Sequence, residues 1–573
     1  MQLEFSHLRT RQFLDPAFHA ENPHHVKRFL DSLQTQIPTD FRSANEWFTL
    51  FHEGSLAIND VHTYLDLATQ LDTESQEAQT RLRLFEEKVL SQLLLQRENL
   101  LDIYINSPWR HSMHADDNGK IFKELSKRKK YSKPELAQLQ IDENKLVRKY
   151  KNFIHTAVAT SSGTQVSLPV LVGRMHDNNS ALRQSAFISY WTFIKDNEKK
   201  FQDMFSDLVE NRKKQAQIAN EKSYAPIAFS ELGKHDYSIQ ECFEFHNSIA
   251  KCIVPKMTKL SETQARSLEQ TSVHPWNAGS WPQITPTSPP ADGNIDRLLG
   301  GFSRIVEDIH PALGRLFARM KKSGTLHINT SPNKAPGAFC VTFQESGMPF
   351  IFGNFAGNTR DAMTLLHEFG HAVHGHASCF IPNTLLRTPS MDFCEFASTG
   401  MEILAFNHFK HWWHNDNDVK KAQANHIFSM LNFWPFMAMI DAWQHEIYTS
   451  EKACDAKFRN QLWKQMSKRF RPHLDWKGIE EFEELGWLAR PHIFTSPFYY
   501  IDYGIAQVGA LQLWKIQKEN PALAIQSYIS GVSLGAQRSL TALFEASNIK
   551  LDLSQNMLGI LANDMEATIR SCF

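Results

Sequence analysis

The chain has 573 residues, 42% hydrophobic and 11% aromatic, enough apolar material for a sizeable interior and too much for a disordered chain. Lys and Arg number 61 against 62 Asp and Glu, so no global field favours nucleic acid or an anionic membrane, and neither is expected as a partner. Seven cysteines without a CxxC pair exclude zinc-ribbon chemistry and suit free thiols in a reducing compartment.

At the N-terminus, "MQLEFSHLRTRQFLD" carries charges where a secretory signal needs an apolar core, and no later stretch is long and apolar enough to span a bilayer. A cytoplasmic location is the expectation. From Thr80 to Ile105 apolar residues recur at spacings of three and four with charges between them, the pattern of an amphipathic helix packed on neighbours. Many such segments follow without a repeat of fixed period, so the fold is expected to be mainly α rather than a solenoid. The basic run from Lys123 to Glu135, with Lys127 to Lys130 at its centre, reads as a solvated helix end or hairpin tip; one charged cluster in a neutral chain is thin ground for a nucleic-acid module.

A new helical stretch, "ALRQSAFISYWTFIKDNEKKF", begins near residue 181, and the expected division is an N-terminal helical region, 1–190, and a second region, 191–573. The five prolines between Thr271 and Gly293 predict an extended connection, pinned to the surface by Trp276 and Trp281. "GAFCVTF" and "MPFIFGNF" flank "QESG" and predict two strands joined by a glycine-containing turn.

The segment "TLLHEFGHAVHGH", Thr364 to His376, follows. On a helix His367 and His371 project from one face as a two-point clamp for a divalent ion, while Glu368, rotated by about 100°, can reach a water without being a ligand. Leu365, Phe369, Ala372 and Val373 form the stripe that anchors this helix. A catalytic zinc site needs a third protein ligand. HExxHxxGxxH is excluded, because His374 and Ala377 stand at its glycine and last histidine positions.

"SMDFCEFASTGMEILAF", Ser390 to Phe406, supplies a carboxylate instead: read as a helix, it groups Glu395, Ser398, Thr399 and Glu402 on one side and Phe393, Ala397 and Leu404 on the other. Glu395 is the candidate third ligand, and Glu402 a carboxylate that orients a ligand imidazole. His374 is expected to pack or support rather than coordinate, and Cys394 to be a packed thiol. Near the C-terminus, "RPHIFTSPFYYIDYGIAQ" reads as a loop holding His492 and then a helix starting with Ser496 as N-cap and Pro497 in its first turn. Tyr499, Tyr500 and Tyr503 fall within about a turn of one another, a cluster of phenol donors able to converge on an oxyanion.

"HEFGHAVHGH", the "CEFAS" helix with its glutamate 28 positions after the first histidine, and "HIFTSPFYYIDY" together resemble the oligoendopeptidase F and thimet oligopeptidase family of zinc peptidases. The stretch from "NKAPGAFCVTF" into the histidine helix is similar to that family's strand pair and metal helix. The resemblance is specific from about Asn333 to Gln507. It implies a two-lobed helical zincin with a deep central channel, a small sheet beside the metal helix, one Zn2+ per chain, and short unstructured peptides as substrates. It also implies that His367, His371 and Glu395 bind zinc, that Glu368 is the general base, and that His492, Tyr500 and Tyr503 contact substrate and oxyanion, with Tyr499 as the alternative phenol. If the strand after "APGAF" is an exposed edge, a peptide can pair with it. Three readings stay open: an endopeptidase; a carboxypeptidase or dipeptidase, for which Arg490 is a candidate cation; and a metal-free peptide-binding scaffold.

Overall fold

The computed structural model describes residues 11–109, 125, 129–131, 133–177, 179–331 and 333–573, and in them the helical periodicity of the sequence becomes a mostly helical molecule with two small sheets. The chain divides into two compact units, each assembled from three stretches: Met1–Lys129, Pro289–Trp412 and Leu513–Lys550 in the first, Lys130–Ser288, Trp413–Gln512 and Leu551–Phe573 in the second. Residue 190, the expected boundary, lies inside the helix Ser180–Asp196 of the second unit. Periodicity marks where a helix runs, not which distant helix it packs on.

In the first unit the stretch from Thr80 to Ile105 is helical, but not uniformly so. A π turn at Glu86–Leu90 joins the helix Gln76–Phe85 to the helix Ser91–Ile105, re-phasing the apolar face without ending it. Phe85, Val89, Leu100 and Tyr104 thereby reach one core with Trp47 and Phe48. Of the basic run, Lys127 and Arg128 lie outside the described residues. Lys129 pairs with Asp102 and Lys130 with Glu221, and both lysine side chains are well exposed, as in a solvated cluster.

Strands β1 (Val158–Ser161) and β2 (Thr164–Ser167) form a hairpin in the second unit. In the first, β3 (Leu326–Asn329), β4 (Phe339–Phe343) and β5 (Met348–Phe355) form a sheet of order β3-β5-β4. The two strands predicted around "QESG" are β4 and β5, paired antiparallel with Cys340 opposite Ile351. Their turn is tied down by charged side chains from distant sequence. Asp60 accepts from the backbone N–H of Gln344 and Glu345 at 2.7 and 2.9 Å, and Arg387 donates to Gln344 O at 3.0 Å. β4 is an edge strand.

Between Thr271 and Gly293 the chain makes turns and two short 3₁₀ segments rather than one extended run. Trp276 is half-buried and stacks on His274 at 4.5 Å. Trp281 corrects the expectation: it is fully buried, packed on Phe428 and Phe573 at 5.1 and 5.4 Å. A side chain this large contributes more as core than as a surface pin.

Among the described residues no helix is long and apolar enough to cross a membrane. All seven cysteines are free thiols.

Candidate functional site

The histidine helix, Thr359–Ser378, begins with a capping box in which Asn358 and Asp361 satisfy each other's backbone N–H groups. Leu365, Phe369, Ala372 and Val373 are buried as the stripe required, and Phe369 packs edge-on against Phe302 at 5.2 Å. That anchoring presents His367 and His371 together on the other side, with ring centroids 4.9 Å apart.

The third group arrives on the helix Met391–Leu404, every residue of which from Asp392 onward is buried. It is therefore not the two-faced helix its sequence implied: its polar side is covered by the histidine helix. Gly370 makes that possible, since a Cβ there would meet Ser398 Cα at 2.5 Å and Ala397 O at 2.6 Å. The two backbones touch one residue before His371. Tyr528 supports the crossing from behind by donating its hydroxyl to Ala397 O at 2.7 Å. The close approach delivers Glu395 Oε2 to 3.4 Å from His367 Nε2 and 3.8 Å from His371 Nε2. Among the described residues these three form the one group of metal-ligating side chains, with ligand atoms within 4.8 Å of one another.

Electrostatics sort the cluster. Burial works against charge on His367, but hydrogen bonds to Glu395 and Glu402 outweigh it and hold its pKa well above the usual range. Burial lowers the pKa of His371 to about 4, leaving a neutral ring with a lone pair to offer. The carboxylates thus stabilise one positive charge, which a divalent cation would supply in place of the His367 proton. Two imidazoles and one carboxylate suit zinc, and three protein ligands is the number catalytic zinc sites use. The residues fit the ion.

Glu402 lies 2.6 Å from His367 Nδ1, fixing that nitrogen as the donor and leaving Nε2 for coordination. Ser398 steadies Glu395 at 3.4 Å. Glu368, beside His367, has its pKa raised to about 7 by burial, partly offset by the charge on His367. His374 is buried against Phe393 and lies outside the group of three. Cys394 is a buried thiol. His376 Nδ1 donates to Gly347 O, binding the histidine helix to the β4–β5 turn.

His492, Tyr499, Tyr500 and Tyr503 belong to the second unit and converge there. The His492 ring lies 5.5, 4.9 and 6.1 Å from the rings of Tyr499, Tyr500 and Tyr503 respectively. The local structure departs from expectation in two ways. His492 is in a short helix, Pro491–Thr495, not a loop, and the next helix starts at Tyr500 rather than after Ser496. Pro497 and Phe498 form an intervening turn in which Phe498 has φ +65°, a strained conformation for a bulky residue.

Buried polar side chains hold that turn. Gln444 accepts from Phe498 N–H at 3.1 Å, and Lys234, itself ion-paired with Asp502, donates to Phe498 O at 2.5 Å. Arg212 holds the short helix, donating to Phe494 O and to the Tyr448 hydroxyl, both at 2.7 Å, while pairing with Glu143. None of these anchors was singled out from sequence. Arg212 and Lys234 stand among other polar residues, so no local pattern marks them as buried.

Known proteins share parts of this sequence and its fold. Residues 323–562 match the sequence profile of Peptidase family M3. The oligoendopeptidase F homolog of Borreliella burgdorferi is 26% identical over 238 residues, a match that covers 39% of this chain and 39% of that protein. Among solved structures, Pz peptidase A with an inhibitor superposes with a TM-score of 0.88 at 23% identity, over 98% of this chain and 99% of the other. Oligoendopeptidase-F from Enterococcus faecium gives 0.63 at 13% identity, over 96% and 97%. The helical fold is thus shared along nearly the whole chain, and the match to Peptidase family M3 falls on residues 323–562.

Proposed function

We propose that this protein is a zinc-dependent endopeptidase that hydrolyses internal bonds of short unstructured peptides. The observation that carries the reading is the convergence of His367, His371 and Glu395, with Glu368 next to the first ligand on the same helix. His367 Nε2, His371 Nε2 and Glu395 would hold the ion. Bound there, zinc supplies Lewis acidity, polarising the scissile carbonyl and making water nucleophilic near neutral pH.

Glu368 takes the proton from the attacking water and passes it to the departing nitrogen, so that the carboxyl is restored as the C–N bond breaks. Its raised pKa, about 7 before any cation acts on it, marks a carboxyl able to do both. Glu402 keeps the His367 ring in one tautomer. His492, Tyr500 and Tyr503 donate hydrogen bonds to the substrate and to the oxyanion that forms as water adds. As an edge strand, β4 would offer backbone groups to an extended peptide, which favours unstructured substrates. Free thiols throughout suit a reducing compartment, and the cytoplasm is the proposed location.

The test is a digest of mixed short peptides, some blocked at both ends, with and without chelator and read by mass spectrometry. Internal cleavage of blocked peptides that stops on chelation is expected. Cleavage confined to peptides with a free end would favour a carboxypeptidase or dipeptidase, and chelator-resistant cleavage would remove the metal from the account.

A further inference from the structure

Most buried arginines in this molecule have several oxygen partners. Arg212 has Glu143, Tyr448 and two backbone carbonyls, Arg459 has carbonyls and Ser206, and Arg387 has the carbonyls of Ile381 and Gln344. Arg471 and Arg490, both in the second unit, differ. Their guanidinium carbons lie 5.0 and 4.7 Å from the centroid of one ring, Phe436. In each the Nε is buried without a hydrogen-bond partner, and among the described residues neither forms an ion pair. Both side chains remain partly accessible.

An aromatic face attracts a cation but accepts none of its in-plane N–H bonds. Two like charges on one ring therefore leave an uncompensated pair of donor forks. The cost is visible in Arg471, whose pKa is lowered to about 9 by burial and then by the charge on Arg490. His473, two residues on, adds a neutral polar group: both its ring nitrogens are buried without a partner, and burial with the Arg471 charge holds its pKa down to about 3. Phe436 also touches Tyr500 at 6.1 Å, in contact with His492, so the arginines adjoin the proposed substrate donors.

We infer that Arg471 and Arg490 form a binding site for a carboxylate of the peptide substrate, held by charge-assisted hydrogen bonds from both guanidinium groups. A carboxylate matches because it is planar, carries one negative charge and presents two oxygens to a fork of donors. Peptides offer that group in two places, the C-terminus and an acidic side chain. The inference rests on the peptidase reading for the identity of its ligand, but not for the binding itself.

The test is isothermal titration of the Glu368→Gln holoenzyme with four pentapeptides: one sequence as free acid and as C-terminal amide, and the amide with one position Glu or Gln. At least one carboxylate form is expected to bind about tenfold tighter than its neutral counterpart, and the pair that differs identifies the source. In Arg471→Met and Arg490→Met that ratio should fall towards one, with Arg471→Lys between, because it keeps charge but loses the fork. Equal affinity of acid and neutral forms overturns the inference, as does a ratio that survives both methionine variants; the parent comparison decides even if a variant does not fold. Selective binding by a protein whose unmutated form cleaves none of these peptides would sink the peptidase reading and keep the carboxylate site, whereas cleavage without selectivity would do the reverse.

Discussion

The His367–Glu395 region and the Phe498–Tyr503 region both put polar side chains where chemistry could use them, but they are held in opposite ways. In the first, the functional residues make the structure: His367 pairs with both Glu395 and Glu402 across a helix crossing that Gly370 allows. In the second, the candidate residues are held by others. Lys234, Gln444 and Arg212 clamp the backbone around them from three distant helices or loops. A site of the first kind is fixed by helical period, and one of the second kind by buried charges that carry no local pattern.

The comparison can be broken first at its chemical end. Replacing Glu368 by Gln removes a base and no ligand, so turnover should fall about 10³-fold or more with metal content unchanged, measured on a cleaved peptide alongside atomic absorption. In the clamped region, Lys234→Met strands Asp502 in a place where both side chains are fully buried. Stability should drop by roughly 3–5 kcal/mol, read by denaturant unfolding. A loss below about 1 kcal/mol would show that the turn does not depend on its buried pair.

Tyr503→Phe should lower kcat by about 100-fold with a smaller change in KM, as expected of a donor used chiefly when charge develops. An equal loss in Tyr499→Phe would move that role to the neighbouring phenol. Glu402→Gln keeps the shape of the bond to His367 but weakens its charge, and metal affinity should fall about 10–100-fold, measured by competition with a chelator.

The smallest effect is at acid pH. In Asp418, burial is outweighed by hydrogen bonds from Thr287, Asn415 and Ser288, and the pKa falls from 3.8 to about 2. A depressed carboxylate adds stability above its unfolded value that is lost as pH falls through its folded one. Wild type should therefore lose about 2 kcal/mol more than Asp418→Asn between pH 4 and 2 in urea unfolding.

What was legible in the sequence follows the same divide. The HExxH spacing, the second carboxylate helix and the β4–β5 pair were readable because period and turn chemistry are local. The burial of the whole Met391–Leu404 helix was not, because covering its polar side required a glycine on a different helix. Ser-Pro is a good N-terminal signal and predicts a helix start at Ser496; the positive φ at Phe498 that delays the helix to Tyr500 is accompanied by buried contacts from Lys234 and Gln444, which no local pattern announces. Arg490 is no more than a candidate cation in sequence, and its sharing of one ring with Arg471 could not be read there.

The most direct test is the metal content per chain, after dialysis against buffer free of metal, for wild type, Glu368→Gln and Glu395→Gln. One zinc in each of the first two and little in the third is the predicted result. Full occupancy in Glu395→Gln, or its loss in Glu368→Gln, would contradict the assignment of ligand and base.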